Sequence, residues 1–194
     1  LRTPELHRRA SLWFEQEQAV EPAFQHALAA GDVERAASLV EQYGLPLLER
    51  QEATIVRGWL AALPDTLRQT RPLLILIKGA VLVLTGQLEA ADHFFMATEA
   101  RFSAPDFPPP LYGAWAQLRG VQARYRGDFV NTIEYSQEAL EYLPLDWWGP
   151  RAHALINLAL AQGFTGDAHA ARANLREAVT VGALGHSITS LSAL

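Results

Sequence analysis

The sequence predicts an all-α fold in which antiparallel helix pairs follow one another along the chain as a right-handed superhelix. Alanine and leucine dominate the composition and β-branched runs are scarce, which favours helix over strand. A glycine followed by a polar residue also separates helix-like stretches four times, with small residues recurring at fixed distances around most of these turns. Glycine takes the left-handed turn position, and small residues let two helix backbones approach. The four turns are Gly31-Asp32, Gly86-Gln87, Gly127-Asp128 and Gly166-Asp167.

Composition and charge limit the classes of function. The 194 residues are 49% hydrophobic and 19% charged, which allows a substantial core. The net charge is −5 and no cluster of Lys and Arg stands out, so we expect no direct nucleic acid binding by this segment. The absence of cysteine excludes disulfides and is compatible with a cytoplasmic location. The most apolar stretch, 73–84, is too short to span a membrane and is interpreted as a buried helix, and no membrane partner is expected.

The first part of the chain predicts helices of irregular spacing. Thr3 and Pro4 are typical of a helix start, and Trp13 is expected on the inward face of the helix that follows. Asp32 is expected to cap a later helix that closes at Gly44, and a short helical turn follows from residue 45. The remaining segments predicted here are helices over 20–30 and 53–63 and a single turn over 65–71.

From Pro72 onward the predicted pairs become regular. Prolines break the pattern over 103–110, and a loop over 145–150 carries Trp147 and Trp148. Residues 182–186 are interpreted as a turn before a last helix that is cut short. The predicted helices are 73–85, 88–102, 111–126, 129–143, 151–165 and 168–181. The sequence thus predicts one continuous array, with a linker-like part over 1–70 and regular pairs over 71–194, truncated at its C-terminal end.

The segment 127–144 resembles the second half of a tetratricopeptide repeat. In that pattern a turn glycine is followed at fixed spacing by a small residue, an aromatic, an alanine and a closing proline. Those places are occupied by Gly127, Thr132, Ser136, Ala139 and Pro144, with Thr132 and Ser136 departing from the usual alanine and aromatic. The last three turns recur about every 40 residues rather than the usual 34 or so, which indicates a variant of the repeat. The first interval, 55 residues from Gly31 to Gly86, indicates an inserted helical piece.

Four motifs near the N-terminus follow one another in an order that resembles MalT-like regulators. The segments 6–15, 23–30, 31–37 and 59–64 are similar to the region that joins the ATPase module of these LuxR-type, ATP-dependent transcription activators to their superhelical sensor domain. The resemblance implies a parent protein that binds ATP at one end and DNA at the other. It also implies that this array binds a small-molecule inducer or a regulatory protein and controls self-association.

No constellation of residues in the sequence points to catalysis, so we expect no enzyme, no metal site and no cofactor in this segment. None of the six histidines stands in a metal-ligand pattern, and His26 and His93 are expected to be exposed or half-buried. Glu138 and Glu141 are three apart on what is expected to be a solvated helix face. The chain contains no phosphate-binding loop, and the implied ATP site therefore lies outside it.

Candidate contacts for a ligand or partner lie on one predicted helix and one predicted loop. Trp59 and Trp115 are expected in the core, whereas the two loop tryptophans either cover a hairpin end or serve as an interaction anchor. First helices of tetratricopeptide-like pairs line the concave face, so the polar and aromatic residues of 111–126 are candidates. The set is Tyr112, Gln117, Arg124, Tyr125, Trp147 and Trp148.

A second function fits the same pattern. A generic tetratricopeptide scaffold would clamp a peptide or a helix in its concave groove. Clamping lysines and arginines on that face would favour it, but Lys78 is the only lysine and lies in an apolar helix.

Overall fold

The computed structural model describes residues 3–102, 104 and 107–191, with side chains as far as residue 184. Within these residues the chain forms eleven helices and no strand, which confirms the all-α prediction. The helices are α1 (Thr3–Gln16), α2 (Val20–Ala29), α3 (Val33–Glu49), α4 (Ala53–Ala62), α5 (Asp65–Thr70), α6 (Pro72–Leu84), α7 (Leu88–Phe102), α8 (Pro109–Tyr125), α9 (Phe129–Tyr142), α10 (Trp148–Thr165) and α11 (Ala168–Leu191).

The chain divides into two compact units. Unit 1 is Leu1–Thr85 and unit 2 is Gly86–Leu194. In unit 1, α3 contacts α2, α4 and α6. In unit 2, α8 packs on α9 and α10, and α10 packs on α9 and α11. A single continuous superhelix, with its regular part starting at residue 71, stays a prediction.

The glycine turns have the geometry that the sequence predicts. All four turn glycines have positive φ, from 69° at Gly31 to 96° at Gly166. At Gly31 the helix ends in a Schellman motif, in which the Asp32 amide donates to the Ala27 carbonyl at 3.0 Å. The Asp32 carboxylate then accepts from the Arg35 amide at 3.1 Å and caps α3. A glycine and an aspartate thus end one helix and start the next.

Two further turns use glutamine in the same conformation. Gln18 and Gln51 have φ of 59° and 66°, and the residue after each donates its amide to a carbonyl five positions earlier. Because glutamine is uncommon at positive φ, residue type did not predict the conformation of these turns. They separate α1 from α2 and α3 from α4.

Small residues bring the helices of unit 1 together. Ala23, Ala27 and Ala36 are completely buried, and Ser11 of α1 is equally buried. The Ser11 hydroxyl donates to the Ala23 carbonyl at 2.7 Å and accepts from Arg35 Nε at 2.7 Å. Arg35 also pairs with Glu15 at 2.7 Å, so one guanidinium links α1 and α3.

The tryptophans of unit 1 differ in environment. Trp59 is buried as predicted, its ring stacks on Phe24 at 4.6 Å between centroids, and its Nε1 donates to Glu21 at 2.5 Å. Trp13 is 54% exposed, so the prediction that it belongs to the core is wrong. It lies on the outer side of α1, where its ring packs edge-on against neighbouring Phe14.

Helix α3 does not end at Gly44, and this boundary was predicted wrongly. It continues through Pro46 to Glu49 and buries Leu47 and Leu48. Burial of two leucines contributes roughly 3 to 6 kcal/mol, whereas a proline inside a helix costs about 3 kcal/mol. Gly44 itself lies against α6, because a Cβ there would come within 3.0 Å of Ile77 Cδ1. Packing therefore outweighs the two helix-breaking signals.

Helix α6 is buried on most of its surface, as its composition predicts. Eight of its thirteen residues are buried, including Leu74 and Ile77. Among the described residues, no helix combines the length and the apolar character needed to cross a bilayer.

In unit 2 the backbones of α8 and α9 nearly touch. A Cβ on Gly113 would meet the Leu143 amide nitrogen at 2.8 Å, and a Cβ on Gly120 would meet Ser136 Oγ at 3.2 Å. Arg151 of α10 holds the end of α9, since its Nη1 donates to the carbonyls of Leu140 and Leu143 at 2.8 Å.

Two predicted boundaries of unit 2 are wrong. The loop expected over 145–150 is shorter, because α10 starts at Trp148. Pro150 lies in the first turn of α10, where the backbone N–H that proline lacks would have no acceptor within the helix. The turn expected at 182–186 is helical, because a mid-helix glycine costs only about 1 kcal/mol and Gly182 lies close to Ala152. The expected separate helix from 187 is the end of α11, and residues 192–194 and Pro105 lie outside the described residues.

A pair of glycine substitutions tests the turn geometry in unit 1. Gly31→Ala should lower the free energy of unfolding by about 1–2 kcal/mol, because alanine is strained at φ 69° although space is free around it. Gly58→Ala, inside α4 with equally free space, should raise it by about 0.5–1 kcal/mol. Urea unfolding followed by circular dichroism measures both, and equal effects would contradict the assignment of the turn.

A substitution at the α8–α9 contact tests the close approach in unit 2. Gly113→Ala should destabilise by about 1–3 kcal/mol, because the added methyl group meets backbone that cannot move aside. Gly149→Ala is the matched control, since apart from its adjacent residues and the backbone of its own helix no atom of the described residues lies within 4 Å of the added Cβ. Thermal unfolding measures the midpoint temperature of each variant. If the midpoints of both variants lie within 1 °C of that of the unchanged chain, α8 and α9 do not approach as closely as described.

Candidate functional site

Tyr112 is held by the neighbouring helix rather than presented to solvent. Its hydroxyl donates to Glu138 of α9 at 3.1 Å, and its ring packs edge-on against Tyr142 at 4.9 Å. Burial, together with the Glu138 carboxylate, raises the pKa of Tyr112 to about 12. Tyr112 thus fastens α8 to α9 and has little freedom to reach a ligand.

Arg119 forms a second polar contact that the sequence analysis missed. Its guanidinium lies between two rings, 4.9 Å from the centre of Trp115 and 4.4 Å from the centre of Tyr135, and pairs with Glu99 at 3.3 Å. Cation–π contacts of this kind stabilise by about 0.5–2 kcal/mol. The spacing of Trp115 and Arg119, four residues apart on one helix, was the signal available in the sequence.

Arg124 and Tyr125 are brought together near the end of α8. The Arg124 guanidinium lies over the Tyr125 ring at 4.6 Å, and Tyr125 is 49% exposed. Arg124 Nε donates to Asn157 Oδ1 on α10 at 2.6 Å. Asn157 was not predicted, and its nearly complete burial makes it unusual for an amide side chain.

Asn157 retains an unused donor. Its Nδ2 is buried and has no hydrogen-bond partner among the described residues. Most buried polar atoms in folded proteins have a hydrogen-bond partner, so the unpaired amide N–H beside Arg124 is an exception at the contact between α8 and α10.

The three remaining candidate residues lie on α8 and at the start of α10. Gln117 is half-buried on α8, two turns before Arg124. Trp147 is 37% exposed at the N-cap of α10, and Trp148 is half-buried as its first residue. Whether any of the six candidates contacts a ligand stays a prediction.

An apolar stripe runs along α10 beside Asn157. Ile156, Leu160 and Phe164 follow at intervals of four residues, and all three side chains are exposed, Phe164 most. The Phe164 ring stacks on Phe129 at 4.5 Å, at the start of α9. Exposed apolar side chains in a row often mark an interaction surface.

The histidines of the described residues lie in different environments. His7 and His26 contact each other through their Nδ1 atoms at 2.8 Å, and His26 stacks on Phe14. His26 is half-buried and His93 exposed, which confirms both predictions. No group of three or more His, Cys, Asp or Glu side chains among the described residues is placed to hold a metal ion.

Comparison with known proteins finds a transcription regulator among the similar chains. The chain is 27% identical over 142 residues to the HTH-type transcriptional regulator MalT of Klebsiella pneumoniae, and 26% identical to MalT of a second strain. The chain therefore resembles a region of MalT. The match covers 73% of this chain and 16% of the regulator.

A shorter similarity reaches a different kind of protein. The chain is 43% identical over 70 residues to the serine/threonine-protein kinase PknK of Mycobacterium tuberculosis, which is 36% of this chain and 6% of the kinase. No family model and no solved structure matches the chain. The chain thus spans a small part of each of these relatives.

The Tyr112 contact predicts a dependence of stability on pH. The pKa of Tyr112 is higher in the folded chain than its ordinary value near 10, so its contribution to stability is complete below pH 10 and is lost as the pH rises towards 12. Tyr112→Phe should therefore flatten the fall in the free energy of unfolding over this range. Urea unfolding at fixed pH values measures the slope.

Glu138→Gln separates the two causes of the shift. It removes the charge but leaves the ring buried, so it should flatten the slope less than Tyr112→Phe does. Identical slopes for the unchanged chain and Tyr112→Phe would contradict the burial of this hydroxyl.

Proposed function

We propose that this chain is a non-enzymatic binding region of a bacterial transcription regulator of the MalT kind. The observation that carries the proposal is the similarity to MalT along 73% of an all-helical chain. The capped helix pairs of unit 2 support it, because repeated pairs stack into surfaces that bind partners. On this proposal the pairs form a right-handed, tetratricopeptide-like superhelix in the cytoplasm.

The mechanism would be a shift between arrangements of the helical array. An inducer or a regulatory protein that binds one arrangement better than another increases the population of that arrangement. The array would thereby change its restraint on neighbouring modules that bind ATP and DNA, and so control self-association. ATP and DNA would bind outside the present chain.

A generic interaction scaffold is the second candidate. The similarity to PknK favours it, because a segment related to this one then occurs in a protein whose name describes a kinase rather than a transcription regulator. In that case the helices would bind a peptide or a helix of a partner, without an inducer.

The coding sequence on both sides of this segment decides between the two. We expect a phosphate-binding loop upstream and a helix-turn-helix downstream. In the full-length protein, Arg124→Glu should then change transcription from a target promoter by at least fivefold while leaving ATP binding unchanged. Arg172→Gln is the control, because Arg172 lies on α11 and its Nε donates to the Ala168 carbonyl of its own helix. Flanking sequence with neither module would exclude the regulator.

A further inference from the structure

We propose that His7 of α1 and His26 of α2 together bind one divalent transition-metal ion of tetragonal geometry, Cu(II) or Ni(II), through their Nδ1 atoms. We call these two residues the histidine pair. The inference goes beyond the proposed function, because it concerns unit 1 and needs neither an inducer nor a protein partner. The expectation of no metal site depended on ligand spacing along the sequence, whereas these two ligands are 19 residues apart on two helices.

The two imidazoles face each other with atoms that can bind a metal. Their Nδ1 atoms are 2.8 Å apart, and both side chains are half-buried. Two ring nitrogens in such contact share one hydrogen, which one ring donates and the other accepts. If both neutral rings carry their hydrogen on Nε2 instead, two lone pairs become available at the same point. Neutral imidazole with a free lone pair is a common metal ligand, so an ion can replace the shared hydrogen.

The distance between the nitrogens indicates which ions fit. With metal–nitrogen bonds of about 2.0–2.1 Å, two neighbouring ligands at a right angle are about 2.9 Å apart, whereas tetrahedral ligands are roughly 3.3 Å apart. The observed 2.8 Å is close to the first value. Right-angled nitrogen ligands are typical of Cu(II) and Ni(II), and tetrahedral ligands of Zn(II). The histidine pair therefore favours Cu(II) or Ni(II).

The packing around the rings holds them near the positions that binding requires. The His26 ring stacks on Phe14 with 5.2 Å between centroids and 8° between planes, and the His7 ring lies 5.0 Å from the His26 ring. A stacked ring can turn within its own plane without leaving the stack, so Nδ1 can turn from the other nitrogen towards a shared ion. Side chains that are already ordered lose little freedom on binding, which favours affinity.

Water is expected to fill the remaining positions around the ion. Carboxylates near the histidine pair have other partners, because Glu5 and Asp32 both pair with Arg8. Glu21 likewise accepts a hydrogen bond from Trp59 Nε1. The described residues accordingly offer no group of three or more His, Cys, Asp or Glu side chains for a metal. We therefore assign two protein ligands to the ion.

Titration with metal ions alone tests the proposal. Cu(II), Ni(II) and Zn(II) chlorides are each titrated into the 194-residue chain at neutral pH, and isothermal calorimetry measures affinity and stoichiometry. We expect His7→Gln and His26→Gln each to weaken Cu(II) and Ni(II) at least tenfold. His93→Gln is the matched control and should bind as the unchanged chain does, because His93 is exposed and its Nδ1 contacts the Glu89 carbonyl of its own helix.

Urea unfolding distinguishes this site from metal binding elsewhere on the chain. An ion held by α1 and α2 together stabilises the folded chain, because unfolding separates its two ligands. Ni(II) should therefore raise the urea midpoint of the unchanged chain and of His93→Gln, but not that of His7→Gln or His26→Gln. Circular dichroism without metal verifies that each variant is folded.

Electron paramagnetic resonance of the Cu(II)-bound unchanged chain needs no variant, so the test does not depend on the folding of any substitution. We expect coupling of Cu(II) to two imidazole nitrogens. Coupling to one or none would overturn the proposal, as would metal binding and stabilisation that persist in both His7→Gln and His26→Gln. Zn(II) bound at the histidine pair more tightly than Cu(II) would contradict the tetragonal geometry.

Discussion

Close contact between helix backbones determines where the other groups of each unit lie. In unit 1 it depends on buried alanines. In unit 2 it depends on Gly113, where a methyl group would collide with the backbone at the end of α9, and on Gly120, where it would lie tightly against Ser136. Dispersion and apolar burial both increase as the helices approach. The same closeness lets side chains of moderate length join one helix to another. Arg124 can bond Asn157 because α8 and α10 are in contact.

The turns were predictable because their signal is local. Two adjacent residues, a glycine at positive φ and an aspartate that caps the next helix, are enough to specify such a turn. At Gly127-Asp128, for example, the Asp128 carboxylate accepts from the Asn131 amide. The continuation of α3 through Pro46 was not predictable, because it depends on leucines packing against other helices. The exposure of Trp13 was not predictable for the same reason, because it too depends on how the helices pack. An apolar position on a helix does not reveal whether another element covers it.

The candidate site shows the same division. Helical position indicated that Arg124 and Tyr125 share one end of α8, and the structure places the guanidinium over the ring. Asn157 lies 33 residues from Arg124, and no pattern in the sequence connects them. Tyr112 looked like a free polar aromatic, yet α9 engages it through Glu138. Sequence spacing identifies residues of one helix, whereas partners on other helices require the packed structure.

The arrangement around Arg119 constrains how this chain can vary. The guanidinium touches Trp115 on its own helix, Tyr135 on α9 and Glu99 on α7. Loss of Arg119 would leave Glu99 without its cation, and loss of Tyr135 would expose the guanidinium. The effect of a substitution at one of these positions therefore depends on the residue at the others, which is epistasis among three helices. Related chains should exchange this cluster as a set, so its members should covary in an alignment.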